Sequence, residues 1–482
     1  MPMTTRYVRA MVTCRPFYLA FAIAALPTAP VSAQQGNLDG YIRTFLERRK
    51  IPAVSIAVVK DGKVVMSSAY GIANIELGTA ATPQTVFEIG SISKQFAAVA
   101  TLLLAQQGKL GLNDPIGKYL PDAPAAWAGI TVHHLATHTA GLPDWESRTA
   151  FSYRSDYSAA DFIKLVTPLP LDFEPGARFA YTNTGAPLLG IIIEKVSGIP
   201  YEQFVEENLF KPAGLGYTRF KHWGDLVSNR SGGYVEEEGQ FRNGEPHRPK
   251  IIAPSGGIMS TAPDMAQWMG ALGDGKILNR AFLEYTMSPV RLNNGTTFSA
   301  SYGWFVDAMH GHRVLIHNGS TVGGFSSVVY YYPDDRLGVA VLMNVDRFDA
   351  VNVLAQRVAG QLIPALSAAT IAEKADPDTA LQRQFLGMLD NIANDRDSEL
   401  LAPSLRNPGG PVRTNRARGF SGKVDKFAFL EREDLGAAGT VRFGNTIRYI
   451  YRYKLYAGDR LIYYTFELTP AGKVARFLAE EE

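Results

Sequence analysis

The spacing of apolar residues changes character several times along the chain. Leu38, Tyr41, Ile42 and Phe45 recur at helical spacing, which predicts a helix over 38–49 closed by Ile51-Pro52. Two apolar runs, 54–59 and 64–69, flank Asp61-Gly62 and predict a hairpin, because that dipeptide tolerates the positive φ of a tight turn. An Ala- and Leu-rich helix is expected from Ser91 to about Gln107, ended by Gly108. Residues 112–300 mix short helical patterns with long loops. Strand patterns follow at 313–316, 325–332 and 337–343, and a helix at 350–366. An early hairpin and a late meander with helices between them predict an α/β sandwich. Its two ends should meet in one sheet, and the interruption leaves room for a helical lobe.

Small and charged residues around Pro377 make 368–378 a candidate linker, so the main unit is expected over 34–367 and a second over 379–482. The second reads as a small α+β domain: an amphipathic helix at 379–392, then strands. In 447–455, Ile447, Tyr449, Tyr451, Tyr453 and Leu455 alternate with Arg448, Arg452 and Lys454, and further strands are expected at 461–468 and 474–478. This unit resembles the small cone-shaped sheets of NTF2-like domains.

With 482 residues, 46% hydrophobic and 20% charged, the composition is that of an ordinary globular protein. The first 33 residues differ: Arg6, Arg9 and Arg15, an apolar stretch at 17–26, and the small residues Val31-Ser32-Ala33 predict a secretory signal peptide and export to the periplasm or medium. Pro27 and Pro30 interrupt the apolar stretch after ten residues, too short for a stable membrane span. Its removal takes away three arginines and lowers the formal charge from +2 to −1, which argues against a nucleic-acid partner. The single cysteine, Cys14, leaves with it, so neither a disulfide nor a cysteine nucleophile is expected in the mature chain.

Three short motifs could carry chemistry. Ser91-Ile92-Ser93-Lys94 stands at the start of a predicted helix, which puts Ser91 and Lys94 on one face; a serine hydroxyl needs such a neighbour to become nucleophilic. Taken alone, Ser91 also reads as a helix cap and Lys94 as a solvated side chain. Tyr181-Thr182-Asn183 lies between a short predicted strand, 178–180, and a helix predicted over 185–196. Tyr181 could shuttle a proton and Asn183 bind a substrate amide, or both could cap and pack. His317-Asn318-Gly319-Ser320 ends one strand and precedes Gly323-Gly324, where small residues let a substrate lie against strand amides. His134 and His138 have the spacing of metal ligands on one helix face, but residue 135 is Leu, not the Glu of H-E-x-x-H, so they read as structural.

In this order the motifs resemble those of the penicillin-recognising serine hydrolases, which include class C β-lactamases, D-alanyl-D-alanine carboxypeptidases, D-aminopeptidases and related esterases. The likeness runs from about Val54 to Ala365 and takes in Phe87-Glu88-Ile89-Gly90, the stretch Leu135-Ala136-Thr137-His138-Thr139-Ala140-Gly141-Leu142-Pro143, and Ser255-Gly256-Gly257-Ile258-Met259-Ser260-Thr261. It implies a β-lactamase/transpeptidase-like sheet flanked by helices, with Ser91 as acylated nucleophile, Lys94 and Tyr181 as the proton-handling pair, and Asn183, His317, Gly319 and Ser320 around the substrate. The amides of Ser91 and Ser320 would form an oxyanion hole, and no metal or cofactor is implied.

One position departs from the class C pattern: His-Asn-Gly stands where those enzymes carry Lys-Thr-Gly. An imidazole is mostly neutral at pH 7, so a fixed counter-charge for a β-lactam carboxylate is missing. The expectation is therefore an exported serine hydrolase acting through a Ser91 acyl-enzyme on small esters or D-amino-acid peptides. A class C-like β-lactamase and a non-catalytic penicillin-binding or sensor protein are the alternatives, and the partner of the C-terminal unit is open.

Overall fold

The computed structural model describes residues 31–222, 224–245, 250–406, 419–437, 440–442, 445–458 and 460–481. Most of the expected leader, with Cys14, lies outside them.

Seven strands form the main sheet: β1 (Ala53–Lys60), β2 (Lys63–Asn74), β3 (Thr79–Ala80), β4 (Phe305–Met309), β5 (His312–Thr321), β6 (Phe325–Tyr332) and β7 (Leu337–Met343). Their order is β4-β5-β6-β7-β1-β2-β3, all antiparallel, and the early hairpin joins the late meander where Ala57 pairs with Ala340. Asp61 (φ 51°) and Gly62 (φ 74°) both take the left-handed conformation of the expected hairpin turn. Strands β6 and β7 are buried along their whole length, which is why they read as continuous apolar runs rather than alternating ones.

Helices cover both faces. The principal ones are α1 (Val31–Arg49), α2 (Ser93–Gln106), α3 (Val132–Ala136), α4 (Gly185–Ser197), α5 (Ala262–Gly273) and α6 (Phe348–Leu362). Leu38, Ile42 and Phe45 of α1 pack with Val351, Leu354 and Val358 of α6 against Val54, Val328 and Val341 on one face. On the other, Met265 and Met269 of α5 and Phe96 of α2 join a core with Ala57, Val329 and Leu342 that extends into the helical lobe. The helix expected at 350–366 ends at Leu362 and yields to a 3-10 turn, Pro364–Leu366, because Pro364 lacks the N–H that a further helical bond needs. The helix expected from residue 38 begins at Val31.

Beyond Leu366 comes a second packed unit: α7 (Thr379–Ala393) lies on a four-stranded antiparallel sheet of β8 (Lys426–Asp434), β9 (Tyr449–Ala457), β10 (Arg460–Leu468) and β11 (Val474–Glu481). Its core is aromatic, with Phe385 of α7 stacked on Phe466 at 4.1 Å between ring centres. The single strand expected over 447–455 is interrupted at Arg448, after a short strand Asn445–Ile447. The alternate face is not simply solvated: Arg452 is buried and paired with Glu431 and Glu433. This unit reaches the main sheet through Arg476 of β11, whose Nη1 lies 2.5 Å from Oδ2 of the buried Asp307 on the edge strand β4.

Candidate active site

The cleft forms where the chain enters α2. Ser91 is not inside the α-helix as the spacing suggested; it occupies a 3-10 turn, Gly90–Ile92, and Lys94 lies in the first turn of α2. The pair still meets on one side: Lys94 Nζ is 3.0 Å from Ser91 Oγ. Lys94 is only 4% exposed, which removes the solvated-surface reading. Its Nζ donates to Asn183 Oδ1 at 2.8 Å and to the Ser255 carbonyl at 2.9 Å, and both of these atoms are acceptors only. Those two bonds consume two N–H groups. The third position of the ammonium donates to Ser91; in the neutral amine the same position is the lone pair facing the serine hydroxyl.

Tyr181 and Asn183 come from the segment before α4. The strand expected at 178–180 does not form; the segment is a loop whose Ala180 N–H donates to the His138 carbonyl at 2.9 Å. Lys94 Nζ sits 4.9 Å from the Tyr181 ring centre, and among the described residues the Tyr181 hydroxyl has no hydrogen bond. Asn183 is anchored on both sides, since its Nδ2 donates to Glu146 Oε2 at 3.0 Å and its backbone N–H to Asp144 Oδ2 at 2.7 Å. The second N–H of its amide remains available to a substrate carbonyl. Glu146 also accepts from the Tyr153 hydroxyl, and burial raises its pKa above the usual carboxylate range.

The opposite wall is β5. Its neighbour β4 pairs no further than Phe305 with Ile316, so His317 to Thr321 leave that edge of β5 open beside the serine turn. Backbone meets backbone here. A Cβ on Gly319 would fall 2.0 Å from the Ile89 carbonyl oxygen, and one on Gly90 (φ 50°) would lie 2.8 Å from the Ser320 nitrogen, so only glycine permits the approach. Ser327 Oγ, on β6, ties the same turn by donating to the Ile89 carbonyl at 2.9 Å. Gly90, which precedes Ser91, is thus packed against the backbone of Ser320.

His317 is 3% exposed, with Nδ1 2.7 Å from the Asn318 carbonyl oxygen, so Nδ1 carries the proton. Its ring centre is 6.4 Å from that of Tyr181 and 5.9 Å from that of Phe305. Burial, with the Lys94 charge adding to it, depresses its pKa to about 3, and the imidazole is neutral at pH 7.

The sequence reading missed Glu146 and His138. Glu146 lies three residues past Pro143, and nothing in its local pattern marks it. His138 falls within a stretch that carried the family likeness but was read as structural with His134; α3 ends at Ala136, so the two do not share a helix face. Among the described residues, no group of three or more His, Cys, Asp or Glu could hold a metal ion.

A serine on a turn before a buried lysine, faced by an open strand edge, stands within a β-lactamase/transpeptidase-type fold. The Beta-lactamase family profile matches residues 38–362, and the chain belongs to that family, whose members are generally serine hydrolases. Penicillin-binding protein 4* of Bacillus subtilis (strain 168) is 29% identical over 325 residues, 64% of this chain and 71% of that protein. Protein flp of Staphylococcus aureus (strain N315) is 28% identical over 319 residues, 65% of this chain; the chain spans 63% of that relative's length. Among solved structures, a penicillin-binding protein from Bacillus halodurans superposes with a TM-score of 0.58 at 27% identity, covering 66% of this chain and 99% of its own. The octameric penicillin-binding protein homologue from Pyrococcus abyssi shares the fold with a TM-score of 0.59 at 23% identity, covering 93% of this chain and 100% of its own.

Proposed function

We propose that this chain is an exported serine hydrolase that forms an acyl-enzyme at Ser91 and releases it to water, acting on small esters or D-amino-acid peptides. The observation that carries the reading is the 3.0 Å contact between Lys94 Nζ and Ser91 Oγ, with the other two positions on Lys94 held by acceptors. In the neutral amine the lone pair takes the serine proton as Oγ attacks the carbonyl; Tyr181, its ring 4.9 Å from Nζ, hands its proton to the leaving group and takes the lysine's proton in return, which restores the neutral amine. The Ser91 and Ser320 amides stabilise the oxyanion, each donor worth roughly 10²- to 10³-fold in rate.

The buried, neutral His317 favours substrates without a carboxylate at that wall, and so weighs against an efficient β-lactamase. Export rests on the leader pattern of residues 1–33; among the described residues no helix is long and apolar enough to cross a membrane.

Intact-mass analysis after exposure to p-nitrophenyl esters, D-alanyl peptides and penicillins tests the reading. An ester or peptide acyl group trapped on Ser91, and absent from Ser91→Ala, is the expected result. Turnover of every substrate by Ser91→Ala at the wild-type rate overturns it.

A further inference from the structure

One residue, His138, grips the loop on both sides of Tyr181. The His138 carbonyl accepts the Ala180 N–H at 2.9 Å, and His138 Nδ1 accepts the Thr182 N–H across a longer 3.4 Å, so the histidine bonds the backbone on both sides of Tyr181. Its ring then stacks on the Tyr181 ring, 4.5 Å between centres and 25° between planes. An edge contact with Phe179, at 5.8 Å, extends the grip one residue further back.

The backbone of His138 is strained for this purpose. It sits just beyond the C-terminus of α3 with φ 57°, in the left-handed region where glycine or asparagine would ordinarily follow a helix. A histidine there accepts the strain that a glycine would avoid, and what it brings in return is the ring under Tyr181. The imidazole is partly buried and neutral, its pKa depressed to about 3 by burial and by the charge of Lys94, which leaves Nδ1 free to accept.

The geometry points to His138 as the positioning residue for Tyr181: it bonds the amides on either side of that tyrosine and stacks on its ring, fixing the phenol beside Lys94. The inference rests on Tyr181 being a proton carrier. Since the Tyr181 hydroxyl has no hydrogen bond among the described residues, its place is set by the ring contacts and the backbone alone.

The test is a cycle in the full chain with a p-nitrophenyl ester as substrate: His138→Asn, Tyr181→Phe and the double variant. Asn tolerates the left-handed backbone and keeps an acceptor but removes the stacked ring. His138→Asn is expected to lower kcat at least about tenfold while changing KM less than about threefold, the pattern of an interaction that matters in the transition state. In the Tyr181→Phe background the same change should cost less than about threefold, because the hydroxyl it positions is already gone. Should His138→Asn fail to fold, His138→Phe, which keeps a ring and loses the acceptor, is read through the same cycle and should retain more kcat than His138→Ala. Equal losses in both backgrounds, or wild-type kcat in the His138 variants, overturn the positioning role. Wild-type kcat in Tyr181→Phe alone instead overturns the role of Tyr181, and the two failures are told apart by which single variant stays active.

Discussion

The two walls of the cleft are built on opposite plans. The helical wall is a continuous polar chain in which Ser91, Lys94, Asn183, Glu146 and Tyr153 are each hydrogen-bonded to the next, with Lys94 buried at its centre. The strand wall offers an open edge, a close backbone approach at Gly319 and a neutral imidazole. The first holds groups that move protons, which must be fixed to a fraction of an ångström. The second presents amides that need only be near the serine, and it supplies no cation. Chemistry and recognition are therefore separable in this protein: the helical wall should control how fast a bond breaks, the strand wall which bond is chosen.

The largest effect that tests this division is on the helical wall. Ser91→Ala should lower turnover by about 10³-fold or more without loss of fold, measured as kcat/KM beside a thermal unfolding curve. Lys94→Ala and Tyr181→Phe should each cost about 10²- to 10⁴-fold, and the double variant far less than the product, since both serve one proton path. Fully multiplicative losses would mean the wall is not a single unit.

A smaller effect is expected from the support of the strand wall. Arg476 secures the edge strand β4, which also carries Phe305 against Tyr181 and His317. Arg476→Leu leaves Asp307 and Glu467, both buried, without that cation, and should destabilise the protein by about 3 kcal/mol, read as a lowered unfolding midpoint. An unchanged midpoint would show that the C-terminal unit lends β4 nothing.

The recognition side is tested by His317→Lys. The ratio of kcat/KM for a penicillin to that for a neutral ester should rise, by about tenfold if the cation reaches the carboxylate. A wild-type protein that hydrolyses penicillin as fast as its best ester would instead put the β-lactamase reading first.

The last test is of stability against pH. His138 and His317 titrate near 3 in the folded protein against about 6.5 when unfolded. Below pH 6.5 the unfolded chain binds protons that the folded one refuses, so stability falls as pH falls from about 6.5 toward 3. The slope approaches ~1.4 kcal/mol per pH unit for each imidazole. Replacing His317 with Asn should remove one such contribution; an identical slope would mean that its imidazole is not buried in its neutral form.

The sequence by itself determined the framework and the order of its parts. The hairpin at Asp61-Gly62, the buried runs of β6 and β7 and the helices at α2, α4 and α7 were legible because period, apolar composition and turn residues act over a few neighbours. Ser91, Lys94, Tyr181, Asn183, His317, Gly319 and Ser320 were legible as three short motifs. Only the tertiary structure decided what these residues touch. Ser91 lies in a 3-10 turn because β5 and β6 press on Ile89 and Gly90; Asn183 is anchored because Glu146, 37 residues away, lies across from it. The loop at 178–180 is bonded to His138 rather than to a strand, and Arg452 is buried despite its place on the polar side of an alternating pattern. Each of these contacts joins segments far apart in the chain, and local periodicity carries no term for what a distant segment will place alongside.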